Sequence, residues 1–136
     1  MDDMKLIEII RECAYKVRLD FSPGYLESVY QNALLVQLKE AGLHAEKEQE
    51  LTLYYHGHII GEFRADIIVE DRIILELKAV SELKSIHEMQ LVNYLNVTNL
   101  DAGILINYGS ENYRFIPKFR TLELLEQYRR FKTSYF

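Results

Sequence analysis

Hydrophobic residues recur every three or four positions in several stretches of the chain, which is the spacing of one buried helix face. The pattern predicts four helices, over roughly residues 2–19, 24–41, 83–97 and 121–131. Ser22 and Pro23 are typical of a helix start, as the N-cap and the first helical residue, and Gly42 is typical of a helix end. These three residues therefore bound the second predicted helix.

Between the helices the pattern changes to that of β-strands. The predicted strands are ELTLYYHG, GEFRADIIVE, RIILELKAV, DAGILINYG and NYRFIPK, and HGHIIG and EDR separate the first three. Pro117 predicts an edge position for the last strand, because proline cannot donate to a ladder. The predicted order is α-α-β-β-β-α-β-β-α, which indicates an α/β domain with a mixed sheet. We expect residues 1–136 to form a single domain.

Composition and cysteine content agree with a soluble globular protein. The 136 residues are 49% hydrophobic and 27% charged, and their apolar runs are too short to cross a bilayer. The acidic, amphipathic amino terminus does not fit a secretory signal. Cys13 is the one cysteine and cannot form an internal disulfide. We therefore predict a cytoplasmic location without membrane association.

The net charge of −5 argues against broad, nonspecific binding of nucleic acid, which needs a basic surface. A local basic rim around an acidic site remains compatible with this charge. The late part of the chain carries five candidates for such a rim: Arg114, Lys118, Arg120, Arg129 and Arg130. The alternative is an ordinary solvated charged face.

One predicted strand, RIILELKAV, carries a carboxylate and an amine within an apolar sequence. Glu76 and Lys78 are two residues apart and so share one face of the strand. Asp66 lies in the preceding strand, and the short connection predicts an antiparallel hairpin. A two-residue loop would place Asp66 on the opposite face from Glu76, whereas a three-residue loop over 70–72 would place them opposite each other.

Opposed carboxylates repel each other unless something positive lies between them. A hard divalent cation such as Mg²⁺ or Mn²⁺ suits two carboxylates, waters and phosphate oxygens. Lys78 beside them could hold or deprotonate a water, or stabilise charge on a phosphorus centre. The alternative is a hairpin with a surface ion pair and with Asp66 facing solvent.

Two helical motifs add to this hypothesis. GYLESVY spaces Gly24, Glu27 and Tyr30 three apart, on one face of the second predicted helix. QLVNY places Gln90 and Tyr94 four apart, and therefore adjacent, on the third. Taken alone, these are also compatible with a first-turn glutamate favoured by the helix dipole and with an ordinary amphipathic helix.

In combination, these residues resemble the PD-(D/E)XK nuclease superfamily. The resemblance covers roughly residues 20–118 and is carried, in order, by Glu27, Asp66, Glu76-x-Lys78 and Gln90-x-x-x-Tyr94. The GYLESVY stretch resembles the small GxxExxY proteins of that superfamily. Ala65 stands where the superfamily's name has proline, and members vary at this position.

The resemblance implies a restriction-endonuclease-like, three-layer core with a mixed sheet flanked by helices. It implies Asp66, Glu76 and Lys78 as catalytic residues, with Glu27, Asp66 and Glu76 as ligands of Mg²⁺ or Mn²⁺. The supporting or substrate-binding residues that it implies are Tyr30, Gln90 and Tyr94. The expected activity is hydrolysis of phosphodiester bonds in DNA, ahead of RNA. The alternatives are a catalytically silent module that binds nucleic acid or a protein, and a hairpin stabilised by a structural cation.

Other residues admit weaker functional hypotheses. His56 and His58 fall at a predicted turn and are expected to be solvated, while His87 opens the third helix and could contact substrate. Three tyrosines could stack on the bases of a single strand: Tyr30, Tyr108 and Tyr113. Because no separate recognition segment is visible, a homodimer or a protein partner could provide specificity.

Overall fold

The structure is a computed structural model that describes the backbone of residues 1–135 and the side chains of residues 1–133. Its elements are α1 (Asp3–Asp20), α2 (Glu27–Glu40), β1 (Ala45–Tyr55), β2 (His58–Val69), β3 (Ile73–Lys78), α3 (Ser85–Thr98), β4 (Ala102–Asn107), β5 (Arg114–Phe119) and α4 (Leu122–Tyr135). This order confirms the predicted one. No helix in the described part of the chain combines the length and the apolar character needed to cross a membrane.

The start of α2 differs from the prediction. The helix begins at Glu27, so Ser22 and Pro23 belong to a preceding turn and do not cap it. The buried Tyr30 hydroxyl holds this turn, since it donates to the Ser22 carbonyl at 2.6 Å. Gly24 lies within the turn at φ 120°, a conformation that L side chains rarely adopt, and it is therefore not on a helical face with Glu27.

The end of α2 agrees with the prediction. Gly42 has φ 82° and directly follows Ala41, the C-cap residue of α2. The Leu43 N–H then donates to the Leu38 carbonyl at 3.0 Å, which satisfies a carbonyl of the last helical turn.

The turn between β1 and β2 is tighter than the predicted separator HGHIIG. Only His56 and Gly57 connect the strands, both with positive φ (49° and 78°), and β2 already begins at His58. Positive φ at both central residues matches the twist of a two-residue hairpin, so the chain turns within two residues.

The strands form one mixed sheet in the order β1-β2-β3-β4-β5. β3 and β4 pair in parallel and are connected through α3, whereas the other neighbours are antiparallel. β5, which contains Pro117, lies at the sheet edge as predicted.

Helices cover both faces of this sheet. One face packs against α1 and α2 in a cluster that includes Leu6, Ile10, Leu34, Leu75 and Leu77. The other face packs against α3, through Leu91 and Leu95. The three layers confirm the predicted α/β architecture.

β2 changes the face that it buries at Asp66. Ala65 belongs to the cluster under α3, whereas Ile67, two residues later, belongs to the cluster under α1 and α2. The pair between Asp66 and Glu48 of β1 is missing from the ladder, and Glu48 has a left-handed φ of 56°. The backbone is therefore irregular at the position of the first predicted catalytic carboxylate.

Candidate active site

The β2–β3 hairpin has the register that the functional hypothesis requires. Ile67 pairs with Leu75, and the connecting loop spans residues 70–72. The first two loop residues have positive φ values of 53° and 55°. This three-residue connection, and not the two-residue alternative, brings Asp66 opposite Glu76.

The carboxylates of Asp66 and Glu76 each bind the backbone of the other strand. Asp66 Oδ2 accepts a hydrogen bond from the Leu77 N–H at 2.7 Å. Glu76 Oε1 accepts one from the Asp66 N–H at 3.4 Å. Both residues are half-buried, and these contacts disfavour the alternative in which Asp66 simply faces solvent.

A glutamine of α2 also holds Asp66. Gln31 Nε2 donates to the Asp66 carbonyl oxygen at 2.8 Å, and the Gln31 residue is only 8% exposed. Gln31 lies four residues after Glu27, so the two side chains occupy the same helical face. The sequence interpretation missed Gln31, for which the i, i+4 spacing from Glu27 was the available signal.

Glu27 reaches the site from the first turn of α2. Its carboxylate lies near the backbone N–H of Ala79, just after β3, and within electrostatic range of Asp66 and Lys78. Lys78 is half-buried and makes no ion pair within 4 Å in the described part of the chain. Glu27, Asp66, Glu76 and Lys78 therefore lie near one another at the end of β3, and their roles in a hydrolytic site remain a prediction.

The segment that follows β3 is fixed by the end of β4. The side chain of Asn107 is buried and makes two hydrogen bonds to Val80, accepting from its N–H at 3.1 Å and donating to its carbonyl at 2.9 Å. A Cβ on Gly109 would lie 2.2 Å from the Ala79 carbonyl carbon, so only glycine fits this approach. Asn107 and Gly109, which the sequence interpretation also missed, thus position the backbone segment that lies near Glu27.

α3 lines the other side of the site. His87, Gln90 and Tyr94 form a small cavity of about 20 Å³ together with Glu76 and Lys78. Gln90 is exposed, whereas the half-buried Tyr94 stacks on Phe63 at 3.6 Å between ring centroids. Gln90 and Tyr94 therefore line the same cavity as Glu76 and Lys78, and substrate contact by them remains a prediction.

His87 has a structural contact in addition to its place in the cavity. Its Nδ1 accepts a hydrogen bond from the Lys84 N–H at 3.1 Å, at the start of α3. This bond caps the helix, so the ring is held at the mouth of the site. Substrate contact by His87 remains a prediction.

The base-stacking role predicted for Tyr30 and Tyr108 is wrong. Both rings are fully buried and stack on each other, with centroids 4.9 Å apart and planes at 2°. Tyr113 packs against Tyr108 at 5.5 Å and is half-buried. Tyr30 is thus a supporting residue, because it holds the turn that precedes Glu27.

Most of the predicted basic rim is neutralised by neighbouring acids. Ion pairs hold three of the five cations: Lys118 to Glu88 at 2.6 Å, Arg120 to Asp101 at 2.7 Å, and Arg129 to Glu126 at 3.0 Å. These contacts favour the solvated-face alternative over a surface that is free to bind phosphates. His56 and His58 are exposed at their turn, as expected.

Each carboxylate of the site makes ionisation of its neighbours less favourable. Burial and the nearby Asp66 raise the pKa of Glu76 to about 8. Burial also raises the pKa of Asp66, although the Leu77 N–H and Lys78 oppose the shift. The pKa of Glu27 is raised by partial burial and by Asp66. A cation between these groups would reverse the shifts by favouring the ionised forms.

The donors present fit a hard divalent cation. When all are ionised, three carboxylates and one lysine leave a formal charge of −2. Asp66 and Glu76 each use one oxygen for a backbone N–H, which leaves a second oxygen on each. No group of three or more Asp, Glu, His or Cys residues within the described residues is close enough to hold a metal ion. Mg²⁺, however, typically takes one or two carboxylates and completes its shell with water and phosphate oxygens.

The metal-free protein is expected to lose stability as the pH rises from about 5 to 8. Glu76 has a folded-state pKa of about 8 against an ordinary value of 4.5, so the folded state keeps a proton that the unfolded chain has released. Unfolding temperatures in EDTA at pH 5, 6.5 and 8 measure this fall. Glu76→Gln should flatten the profile, and an equal fall in that variant would contradict the assignment to Glu76.

Comparisons with known proteins agree with the fold. A solved structure described as "Crystal structure of SSO0001" resembles this chain with a TM-score of 0.55 at 24% identity. The match covers 77% of this chain and 58% of that chain, and it bears on the fold alone. No curated protein matches the sequence significantly. A family model for the PD-(D/E)XK nuclease superfamily matches residues 4–118. Because this match takes in most of the chain and all three site carboxylates, the chain belongs to the PD-(D/E)XK nuclease superfamily.

Proposed function

We propose that this protein is a divalent-metal-dependent nuclease that hydrolyses phosphodiester bonds of DNA and, secondarily, of RNA. The observation that carries the proposal is the hairpin register that brings Asp66 opposite Glu76 beside Lys78. Superfamily membership supports the same reaction class. Neither the hairpin register nor the superfamily match follows from the apolar core alone, which any α/β domain of this size would need.

Each residue at the end of β3 would have a defined task. Asp66 and Glu76 would hold Mg²⁺ or Mn²⁺, with Glu27 as a further acidic ligand, directly or through a water. The bound metal would polarise phosphate oxygens and acidify water. Lys78 would orient the attacking water and stabilise negative charge that grows on the phosphoryl group. The water oxygen would bond to phosphorus as one P–O ester bond breaks. The water would give up a proton to solvent, and the departing oxygen would take one from solvent to leave as a hydroxyl group. Gln90 and Tyr94 would contact the substrate from α3.

We also assign the chain to the GxxExxY branch of the superfamily. In support of this assignment, each of the three fixed residues of the motif has a distinct role in this structure. Gly24 permits the turn, Glu27 enters the site, and Tyr30 holds the turn in place. We further propose that residues 1–136 act as one domain in the cytoplasm, where the buried free thiol of Cys13 would stay reduced.

A second candidate function is a binding module that retains the fold without turnover. The specific observation in its favour is that three of the five late basic residues, Lys118, Arg120 and Arg129, pair with acids, in a chain of net charge −5. Such a surface gives little affinity for long duplex DNA. A protein partner or a second copy could then supply the missing positive surface.

Cleavage assays separate the two candidates. Labelled single- and double-stranded DNA and RNA would be incubated with the protein in Mg²⁺, in Mn²⁺ and in EDTA. A nuclease cleaves at least one substrate with either metal and none in EDTA. Substrate retention on a filter without cleavage under any condition would support the binding module instead.

Replacement of Lys78 by glutamine should reduce cleavage about 100-fold or more, because proton transfer or water orientation by a positioned side chain contributes this much. The affinity for Mn²⁺ should not fall, since Lys78 repels the cation. Single-turnover cleavage and Mn²⁺ binding would be measured together. Lys39→Gln, at an exposed position near the end of α2, is the matched control. Equal cleavage by the Lys78 variant and the control would remove Lys78 from the mechanism.

A further inference from the structure

We infer that Gln31 is a positioning residue of the metal site, which sets the orientation of Asp66 and its spacing from Glu27. The inference rests on the proposed function, because it concerns the same cation. Gln31 is a buried amide that belongs to none of the motifs implied by the resemblance. Its side chain nevertheless contacts the backbone of the central carboxylate residue.

The irregularity of β2 explains why Asp66 needs this contact. The Glu48–Asp66 pair is missing from the β1–β2 ladder, and the β2–β3 ladder reaches only as far as Ile67. Side chains therefore replace the strand partners of Asp66. Its carbonyl accepts from Gln31 at 2.8 Å, and its N–H donates to Glu76 at 3.4 Å. Of these two contacts the one with Gln31 is the shorter, and it holds the peptide that follows Asp66.

The same contact joins two elements of the site. Gln31 and Glu27 lie one turn apart on α2, so the hydrogen bond to Asp66 also fixes this face of the helix against β2. Loss of the amide donor would leave the Asp66 carbonyl unpaired in a half-buried position. Rotation of that peptide would move the Asp66 side chain away from the Leu77 N–H, and α2 would be free to shift Glu27. Metal affinity should then fall along with stability.

A binding measurement that does not depend on catalysis tests this inference. The electron paramagnetic resonance signal of free Mn²⁺ would be followed during titration of the full-length protein and its variants. Gln31→Leu should weaken Mn²⁺ binding about 10-fold or more, which is typical of the loss of an outer-shell partner. Gln31→Met keeps the length of the side chain without the hydrogen-bond donor and should weaken Mn²⁺ binding to a similar extent. It provides the test if the leucine variant does not fold. Gln37→Leu, a half-buried glutamine of the same helix, is the control and should bind as the wild type does.

The outcomes distinguish the role of Gln31 from the proposed function. A lower unfolding temperature with unchanged Mn²⁺ affinity in both Gln31 variants would make Gln31 merely structural and overturn the inference. Weaker binding in both variants, but not in the control, would support it even if the wild type cleaved no nucleic acid. A wild type that binds no Mn²⁺ would overturn the inference together with the metal-dependent nuclease.

Discussion

Replacement of Glu76 by glutamine should reduce metal-dependent cleavage at least about 1,000-fold while the protein stays folded. The expected loss is large because the glutamate supplies both charge and an oxygen ligand to the proposed metal, whose contribution to the reaction is electrostatic. The amide oxygen can still accept the hydrogen bond from the Asp66 N–H, so the hairpin should keep its register. Single-turnover cleavage in Mn²⁺ would measure the loss.

The stability of this variant should equal or exceed that of the wild type at pH 8 in EDTA. With a pKa of about 8, the wild-type Glu76 is partly ionised there in the absence of metal, and the neutral amide avoids the repulsion from Asp66. Glu82→Gln makes the same chemical change at an exposed position and should retain wild-type cleavage. Full activity in the Glu76 variant would exclude this residue as a ligand.

The fold and the main carboxylates could be predicted because they depend on local patterns. The spacing of hydrophobic residues indicates the order of helices and strands. The alternation of side chains along β3 places Glu76 and Lys78 on one face. The sequence alone does not decide whether Asp66 pairs with Glu76, since a two-residue and a three-residue loop are both stereochemically available. The structure selects the loop over 70–72, with positive φ at its first two residues.

The parts that could not be predicted depend on contacts between distant segments. Gln31 and Asn107 look like ordinary polar residues in the sequence, and only packing against β2 and the end of β3 defines their roles. The start of α2 was misassigned for a similar reason. Ser22 and Pro23 carry a strong local signal for a helix start, but the hydroxyl of Tyr30 holds that segment as a turn. The pairing of Lys118 and Arg120 with acids could not be read from the sequence, because those acids lie 30 and 19 residues away.

Substitution of Gly109 by alanine should lower the free energy of unfolding by about 3 kcal/mol or more, because overpacking against backbone has no side-chain rotation to relieve it. The new Cβ would lie 2.2 Å from both the Ala79 carbonyl carbon and the Val80 nitrogen. Urea denaturation, with the midpoint and slope compared with those of the wild type, measures the cost.

Gly61→Ala is the matched control for this change, since its Cβ would meet nothing closer than Leu53 Cδ1 at 3.9 Å. It should alter the unfolding free energy by no more than about 0.5 kcal/mol. Gly109→Ala should also weaken Mn²⁺ binding in conditions where it remains folded, because the displaced Ala79 backbone lies next to the Glu27 carboxylate. Normal stability and normal Mn²⁺ affinity in the Gly109 variant would mean that the end of β4 does not position the segment after β3.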